Sequence, residues 1–369
     1  MRILITGAGG FIGKNLMARL NGAGCHELFA CDLDTPKEQL EAWCGECGFV
    51  FHLAGVNRPR EQGEFMAGNY GFTETLLRLL QKRRNNCPVM LASSTQAALS
   101  NLYGKSKKAG EELLFRYGEE TGAGVYVFRF PNVYGKWSRP NYNSVVATFC
   151  HQIARGLPIA VNDPSTVMTL VYIDDVVDAL IGLLAGKAVM DGNFCTVPVT
   201  QTATLGELAE LIRSFRQSRA DLSVPDMSDP LTKRLYATYL SFLPTDEFSY
   251  PLNMHVDARG SFTEFLRTPD RGQVSVNISK PGIVKGNHWH HTKNEKFLVV
   301  AGRGVIRFRH ADGGEVTEYV VGGDALTVVD IPTGYTHNIE NLGDTDLVTI
   351  MWANEPFDPE NPDTRYLEV

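Results

Sequence analysis

No apolar stretch in the sequence approaches the roughly 20 residues that a membrane-spanning helix needs. The chain opens directly on a strand-like run, RILIT, rather than on a leader peptide, and a cytoplasmic protein is expected. Positive charge is also scarce. Lys and Arg number 35 against 42 Asp and Glu, a net charge of −7 with no long basic run. That balance argues against nucleic acid or an anionic membrane as partner and in favour of a small molecule. The seven cysteines, an odd number scattered through 369 residues, make no disulfide framework and read as thiols. Cys44 and Cys47 have the C-x-x-C spacing, but no second pair completes a zinc site, so they read as packing residues. Internal repeats and low-complexity segments are absent too.

With 43% hydrophobic and 21% charged residues, the composition is that of a globular protein, and the length exceeds what one core usually serves. To about Leu240, short apolar runs (RILIT, FVFHLAG, PVMLASS, VYVFRF) alternate with helix-length amphipathic stretches. This pattern predicts an α/β, Rossmann-type doubly wound parallel sheet. After SFLPTDEFSYP the runs shorten and are separated by Gly, Asp and Pro (QVSVNIS, KFLVVAG, GVIRFRH, LTVVDIP, LVTIMWAN), predicting an all-β barrel or sandwich. The expected division is residues 1–243, a linker at 244–252, and 253–369.

Between the first strand and the first helix stand Gly7, Gly10 and Gly13, where glycines let the backbone approach a pyrophosphate that the helix N-terminus attracts. The second strand ends at Asp32, placed to bond the ribose hydroxyls of NAD. Tyr103 and Lys107, at i and i+4, share one face of a predicted helix. There an ammonium is expected to lower the tyrosine pKa from about 10 toward neutrality. Ser94, or Thr95 as second choice, ends the strand just before them and offers a hydroxyl to a substrate oxygen.

The ordered set TGAGGFIG, HLAG, Asn69, the paired serines, YGKSK and RFPNVYG resembles the extended short-chain dehydrogenase/reductase family over most of residues 1–240. The resemblance implies a nucleotide-sugar enzyme that moves hydride at a sugar carbon. It assigns Ser94 to orient the ketone, Tyr103 to protonate its oxygen, and Lys107 to hold the cofactor ribose. Phe11, Ile12, Leu53, Ala54 and Gly55 join the glycines and Asp32 around the cofactor, and Asn132 and Tyr134 line the sugar pocket.

In the second half, KGNHWHHTKNEKF puts His288 and His290 two apart with Glu295 following, and His337 comes later in IPTGYTHNIEN. On a strand, positions two apart face the same way, so His288 and His290 aim inward, and Glu295 and His337 are expected on neighbouring strands. Three imidazoles and a carboxylate suit a divalent transition metal. Both spacings resemble the two motifs of the cupin family, with Leu326 where a turn glycine is usual. DARGSFTEF resembles the opening of cupin-type epimerases that act on nucleotide-linked 4-keto-6-deoxy sugars.

Taken whole, the chain resembles the CapF-type family of bifunctional capsular polysaccharide synthesis enzymes. The resemblance implies a zinc-holding cupin that epimerises C3 of a UDP-2-acetamido-2,6-dideoxy-4-hexulose. It also implies a reductase that then reduces C4 with NADPH to UDP-N-acetyl-6-deoxy-L-talosamine, and a homodimer formed through the cupin. NADH is the alternative cofactor, because Asp32 repels a 2′-phosphate and only Lys37 is near to offset it. For the C3 proton, a metal-bound water, His291, Lys296 and Tyr335 all stand near the ligand motifs. A competing reading keeps a single reductase or 4-epimerase activity and makes the cupin a non-catalytic dimerisation or metal-dependent regulatory module.

Overall fold

The computed structural model describes residues 1–24, 26–59, 61–268, 270–360 and 362–369; Cys25 lies outside the described residues. The chain forms two compact units, Met1–Arg213 with Asp229–Pro244, and Ser214–Ser228 with Thr245–Val369.

Along the first unit run β1 (Arg2–Thr6), α1 (Phe11–Ala23), β2 (Glu27–Cys31), α2 (Lys37–Glu46), β3 (Phe49–His52), α3 (Phe72–Lys82), β4 (Val89–Ser94), α4 (Leu102–Thr121) and β5 (Val125–Phe130). There follow β6 (Asn132–Tyr134), α5 (Val145–Ala154), β7 (Val167–Tyr172), α6 (Ile173–Leu184), β8 (Met190–Asp191), β9 (Phe194–Cys195), β10 (Gln201–Thr204), α7 (Leu205–Gln217), whose residues from Ser214 onward group with the second unit, and α8 (Pro230–Leu240). The main sheet has the order β2-β1-β3-β4-β5-β9-β8, parallel from β2 to β9. Its strands are apolar at successive positions because both faces are covered. Ile3, Ile5, Phe49, Phe51 and Met90 pack on α1 and α6, while Leu4, Val50, Val89 and Leu91 pack on α2, α3 and α4. Burial of each such side chain is worth roughly 1.5–3 kcal/mol. The chain runs from β1 out to β2 and back past β1 to β3, so the carboxyl ends of β1 and β3 diverge into a crevice, the usual ligand position in such sheets.

The second unit comprises β11 (His255–Asp257), β12 (Gly260–Thr268), β13 (Gly272–Ser279), β14 (Val284–Trp289), β15 (Glu295–Ala301), β16 (Arg303–His310), β17 (Thr317–Gly322), β18 (Val328–Ile331), β19 (Tyr335–Asn341), β20 (Leu347–Ala353) and β21 (Arg365–Tyr366). They form two antiparallel sheets, β11-β12-β13-β20-β15-β18 and β17-β16-β19-β14-β21, joined by a core that includes Phe297, Val299, Ile306, Phe308, Ile331 and Ile339. One part of the interior reverses the usual pattern. On β13, Gln273, Ser275 and Asn277 are buried, whereas Val274, Val276 and Ile278 face outward and are half-buried.

The segment Ser214–Ser228, read from sequence as part of residues 1–243, groups with the second unit. Backbone hydrogen bonds explain this. Arg267 on β12 donates its N–H to the Leu222 carbonyl at 2.7 Å and accepts from the Val224 N–H at 3.0 Å. The six described cysteines are free and buried; Cys47 and Cys87 have their Sγ atoms 3.7 Å apart.

Candidate functional site

In the first unit, β1 turns at Gly7 with φ +70°, and a Cβ there would lie 2.8 Å from the Ala54 nitrogen. A Cβ on Gly13 would lie 2.2 Å from the Gly7 carbonyl oxygen, so this loop packs backbone against backbone and leaves no room for a side chain. Helix α1 starts at Phe11 after Gly10, with no side-chain cap. The first-turn amides of Phe11, Ile12 and Gly13 thus remain for an anion such as a pyrophosphate, and a dinucleotide fits this cradle. Asp32 follows β2, and its two carboxylate oxygens accept the Gly9 N–H at 2.9 and 3.1 Å, which braces the loop. Beyond β3, the Leu53 N–H donates to the Thr6 carbonyl at 3.1 Å and the Ala54 N–H to Thr6 Oγ1 at 3.3 Å.

Gly55 brings this loop to α4, for a Cβ there would lie 2.7 Å from Lys107 Nζ and 2.9 Å from Asn69 Oδ1. Ser94 closes β4, and its Oγ accepts the Gln96 N–H at 3.2 Å; Thr95 beside it is exposed. Asn101 caps α4 by accepting the Gly104 N–H at 2.7 Å, and a Cβ on Gly104 would lie 2.1 Å from the Gln96 carbonyl oxygen. The helix start, with Tyr103, is thereby seated against the Ser94 turn.

The expected effect of Lys107 on Tyr103 is not what the structure holds. Burial raises the Tyr103 pKa above its ordinary value, outweighing the lowering by the Ser94 hydrogen bond. Lys107 Nζ instead donates to the Ala92 carbonyl at 3.0 Å and stands 5.9 Å from the Tyr103 ring centre. Its own burial pulls its pKa down to about 8, with Glu111 opposing. Desolvation therefore sets the direction of both shifts.

Of the two residues expected at the sugar pocket, Asn132 is exposed and its Nδ2 donates to the Thr169 carbonyl at 3.1 Å. Tyr134 is fully buried, with its hydroxyl donating to Gln201 Oε1 at 2.7 Å. That is a place in the core rather than in a pocket lining. The aromatic run RFPNVYG does not distinguish an inward from an outward tyrosine.

Two polar networks behind the site escaped sequence reasoning. His52, fully enclosed, has Nδ1 at 2.6 Å from Thr6 Oγ1 and Nε2 at 2.8 Å from Thr73 Oγ1. Thr73 donates its own proton to the Asn69 carbonyl at 2.6 Å, so Nε2 is the protonated nitrogen and Nδ1 accepts from Thr6. Burial, with Lys107 adding to it, holds the imidazole pKa near 3 and the ring neutral. Asn69 lies in a π-helical turn, Met66–Gly71, and its Nδ2 donates to Ser106 Oγ at 2.9 Å. Glu111, one turn beyond Lys107, accepts from Ser93 Oγ and from Arg129 Nε and Nη2, the last at 2.6 Å.

In the second unit, β14 bulges at Asn287, whose φ is +57°. Such a bulge re-aims the residues that follow it, and His288 stands directly opposite His337 across the β14–β19 pair. His290 lies just past the end of β14, and Glu295 opens β15. Glu295 and His337 are therefore not on neighbouring strands. They come from different sheets and meet across the interior, because inward residues of both sheets point to one core.

Ligating atoms of His288, His290, Glu295 and His337 all lie within 4.8 Å of one another. Glu295 Oε2 is 3.4 Å from His337 Nε2 and 3.7 Å from His290 Nε2. Four buried atoms here have no hydrogen-bond partner: His290 Nε2, Glu295 Oε2, and both ring nitrogens of His337. Protein interiors rarely leave such atoms unpaired, so their convergence fits a divalent metal. Burial and the two neighbouring imidazoles lower the His288 pKa to about 4, keeping a lone pair available. Burial alone would raise Glu295, but His290 and His337 outweigh it and hold the carboxyl at about 2.

The residues expected to move a proton are spread around this cluster rather than gathered in it. His291 is exposed, with its ring 4.4 Å from that of Trp289; Lys296 is exposed and paired with Asp330; and the Tyr335 ring packs 5.2 Å from His310. Lys293, which sequence reasoning passed over, is buried, with Nζ 5.6 Å from the Phe357 ring centre. No helix among the described residues is long and apolar enough to cross a membrane.

Comparison with known proteins places these geometries. Residues 3–193 match the NAD dependent epimerase/dehydratase family, and residues 255–365 match the polysaccharide biosynthesis C-terminal domain. A UDP-2-acetamido-2,6-beta-L-arabino-hexul-4-ose reductase of Pseudomonas aeruginosa is 46% identical over 369 residues, covering 100% of this chain and 99% of that protein. The crystal structure of the capsular polysaccharide assembling protein CapF from Staphylococcus aureus superposes with a TM-score of 0.95 at 54% identity, covering 100% of both chains. CapF with the inhibitor 3-isopropenyl-tropolone gives 0.91 at 51% identity, again over 100% of both.

One divalent ion per chain is expected by elemental analysis, and none in a His337→Ala variant. Readdition of zinc to chelator-treated protein is expected to raise its melting temperature, by the equivalent of about 2.7 kcal/mol at a hundredfold excess over Kd.

Proposed function

The chain belongs to the NAD dependent epimerase/dehydratase family over its first half and to the CapF capsular polysaccharide assembling proteins over its whole length, and from that premise we propose a two-step nucleotide-sugar enzyme. Its second unit epimerises C3 of a UDP-2-acetamido-2,6-dideoxy-4-hexulose. Its first unit then reduces the C4 ketone to give UDP-N-acetyl-6-deoxy-L-talosamine for capsule or surface polysaccharide. The observation that carries the reading is one chain holding both the Ser94–Tyr103–Lys107 group and the His288–His290–Glu295–His337 cluster.

NADPH, or NADH, supplies a hydride when bound. Around it Ser94 orients the ketone by donating to its oxygen. Tyr103, whose raised pKa keeps the phenol protonated, gives its proton to that oxygen as negative charge develops. Lys107 holds the ribose, and Asp32 meets the adenosine-side hydroxyls. His288, His290, Glu295 and His337 hold Zn2+, which stabilises the charge of an enolate when bound. We extend the proposal to a homodimer through the second unit, supported by the half-buried apolar outer face of Val276 and Ile278.

A ketone at C4 acidifies the C3–H bond, and reduction removes the ketone, so epimerisation comes first. A second reading has a specific support. The P. aeruginosa relative is named for reduction alone, and by that reading this cupin is a non-catalytic assembly or metal-dependent regulatory module.

Proton NMR in D2O with the UDP-4-keto sugar and no reductant separates the two. Deuterium entering C3, and failing to enter with His290→Ala, is expected; C4 reduction on adding NADPH without prior exchange overturns the epimerase reading. Reduction is expected to drop by roughly 10²–10⁴-fold in Tyr103→Phe. As pH rises through about 8, Lys107 loses its proton and kcat/KM for reduction falls. In Lys107→Arg that decline moves to higher pH, because a guanidinium stays charged. Asp32→Ala is expected to raise the NADPH-to-NADH ratio of kcat/KM by roughly tenfold, the gain from removing a carboxylate beside a 2′-phosphate.

A further inference from the structure

We infer that Asp363 is a positioning residue for the metal centre, fixing both the ring of His290 and the turn that links His290 to Glu295; this rests on the metal reading proposed above. Its carboxylate is not one of the four converging groups. It accepts instead from three successive backbone amides, His291 at 3.0 Å, Thr292 at 2.7 Å and Lys293 at 3.0 Å, and from Thr292 Oγ1 at 3.0 Å. Successive amides gathered on one anion make a rigid nest, and this nest occupies the turn between two ligands.

The same residue acts from its backbone. The Asp363 carbonyl accepts from His290 Nδ1, which makes Nδ1 the protonated nitrogen and leaves the Nε2 lone pair for a metal. Nε2 is the atom that is buried without a partner and lies 3.7 Å from Glu295 Oε2. A carbonyl behind a ligating histidine sets ring tautomer and direction in this way.

The segment after Asp363 holds it in place. β21 pairs Tyr366 with His288 and Arg365 with Trp289, and the Leu367 N–H donates to the Asn287 carbonyl at 3.0 Å. The chain's last described stretch thus lies along the strand that carries His288 and leads into His290.

The test measures zinc affinity by chelator competition and the visible d–d spectrum of the Co2+-loaded full-length protein. The variants are Asp363→Asn, which keeps the backbone carbonyl but replaces one acceptor oxygen with a donor, and Thr292→Val, which removes a single hydrogen bond to the carboxylate. Asp363→Asn is expected to raise Kd by roughly 10- to 100-fold. Thr292→Val is expected to raise it by roughly fivefold and to shift the Co2+ bands, with the unfolding midpoint of the metal-free protein unchanged. If Asp363→Asn does not fold, Thr292→Val carries the test alone. Wild-type protein that takes up no stoichiometric metal overturns the metal reading itself. A metal-binding wild type whose variants keep its Kd and Co2+ spectrum overturns the role of Asp363 alone.

Discussion

A polar atom withdrawn from water must be given a partner, and the layout of both candidate sites follows from how that demand is met. In the first unit it is met locally around the strand ends and the Tyr103 helix. Lys107 Nζ donates a hydrogen bond to the Ala92 carbonyl, His52 spans Thr6 and Thr73, and Glu111 is shared by Ser93 and Arg129. These bonds tie the ends of β1, β3 and β4 to α3 and α4, so the strand ends and the Tyr103 helix are held in one arrangement. In the second unit, among the described residues, the demand is left open most densely where His290, Glu295 and His337 converge with four unpartnered atoms.

The two solutions match two kinds of chemistry. Burial of Tyr103 raises its pKa and keeps the phenol protonated, as the proton donor proposed for reduction requires. At the converging histidines burial does the opposite work, lowering His288 to about 4 and so keeping the lone pair that the proposed metal site needs. One physical cause, desolvation, disfavours the ionised form of both. The neutral phenol is an acid, and the neutral imidazole is a base.

Much of this was legible in the sequence, for reasons tied to particular residues. The doubly wound sheet announced itself through apolar strand runs alternating with helices, and the four side chains expected to converge do so, although His290 lies past the end of β14 and a bulge at Asn287, rather than strand alternation alone, aims the pair. What could not be read was long-range. Tyr134 looked like a pocket residue because its motif records chain order and not depth. Ser214–Ser228 looked like a continuation of the α/β block, whereas it is held by backbone bonds to Arg267, which no side-chain pattern encodes. The influence of Lys107 on Tyr103 was misjudged because i, i+4 spacing gives proximity but says nothing of the cost of burial. Glu295 was placed beside His337 on an adjacent strand when the two face each other from opposite sheets, a matter of strand order that pairing alone decides.

The order in which this chain is made adds a consequence. Asp363 comes 73 residues after His290, so all four converging side chains precede in the chain the group proposed to position one of them. On that proposal, a chain cut short just before Asp363 keeps the four converging side chains and lacks the carbonyl that accepts from His290 Nδ1.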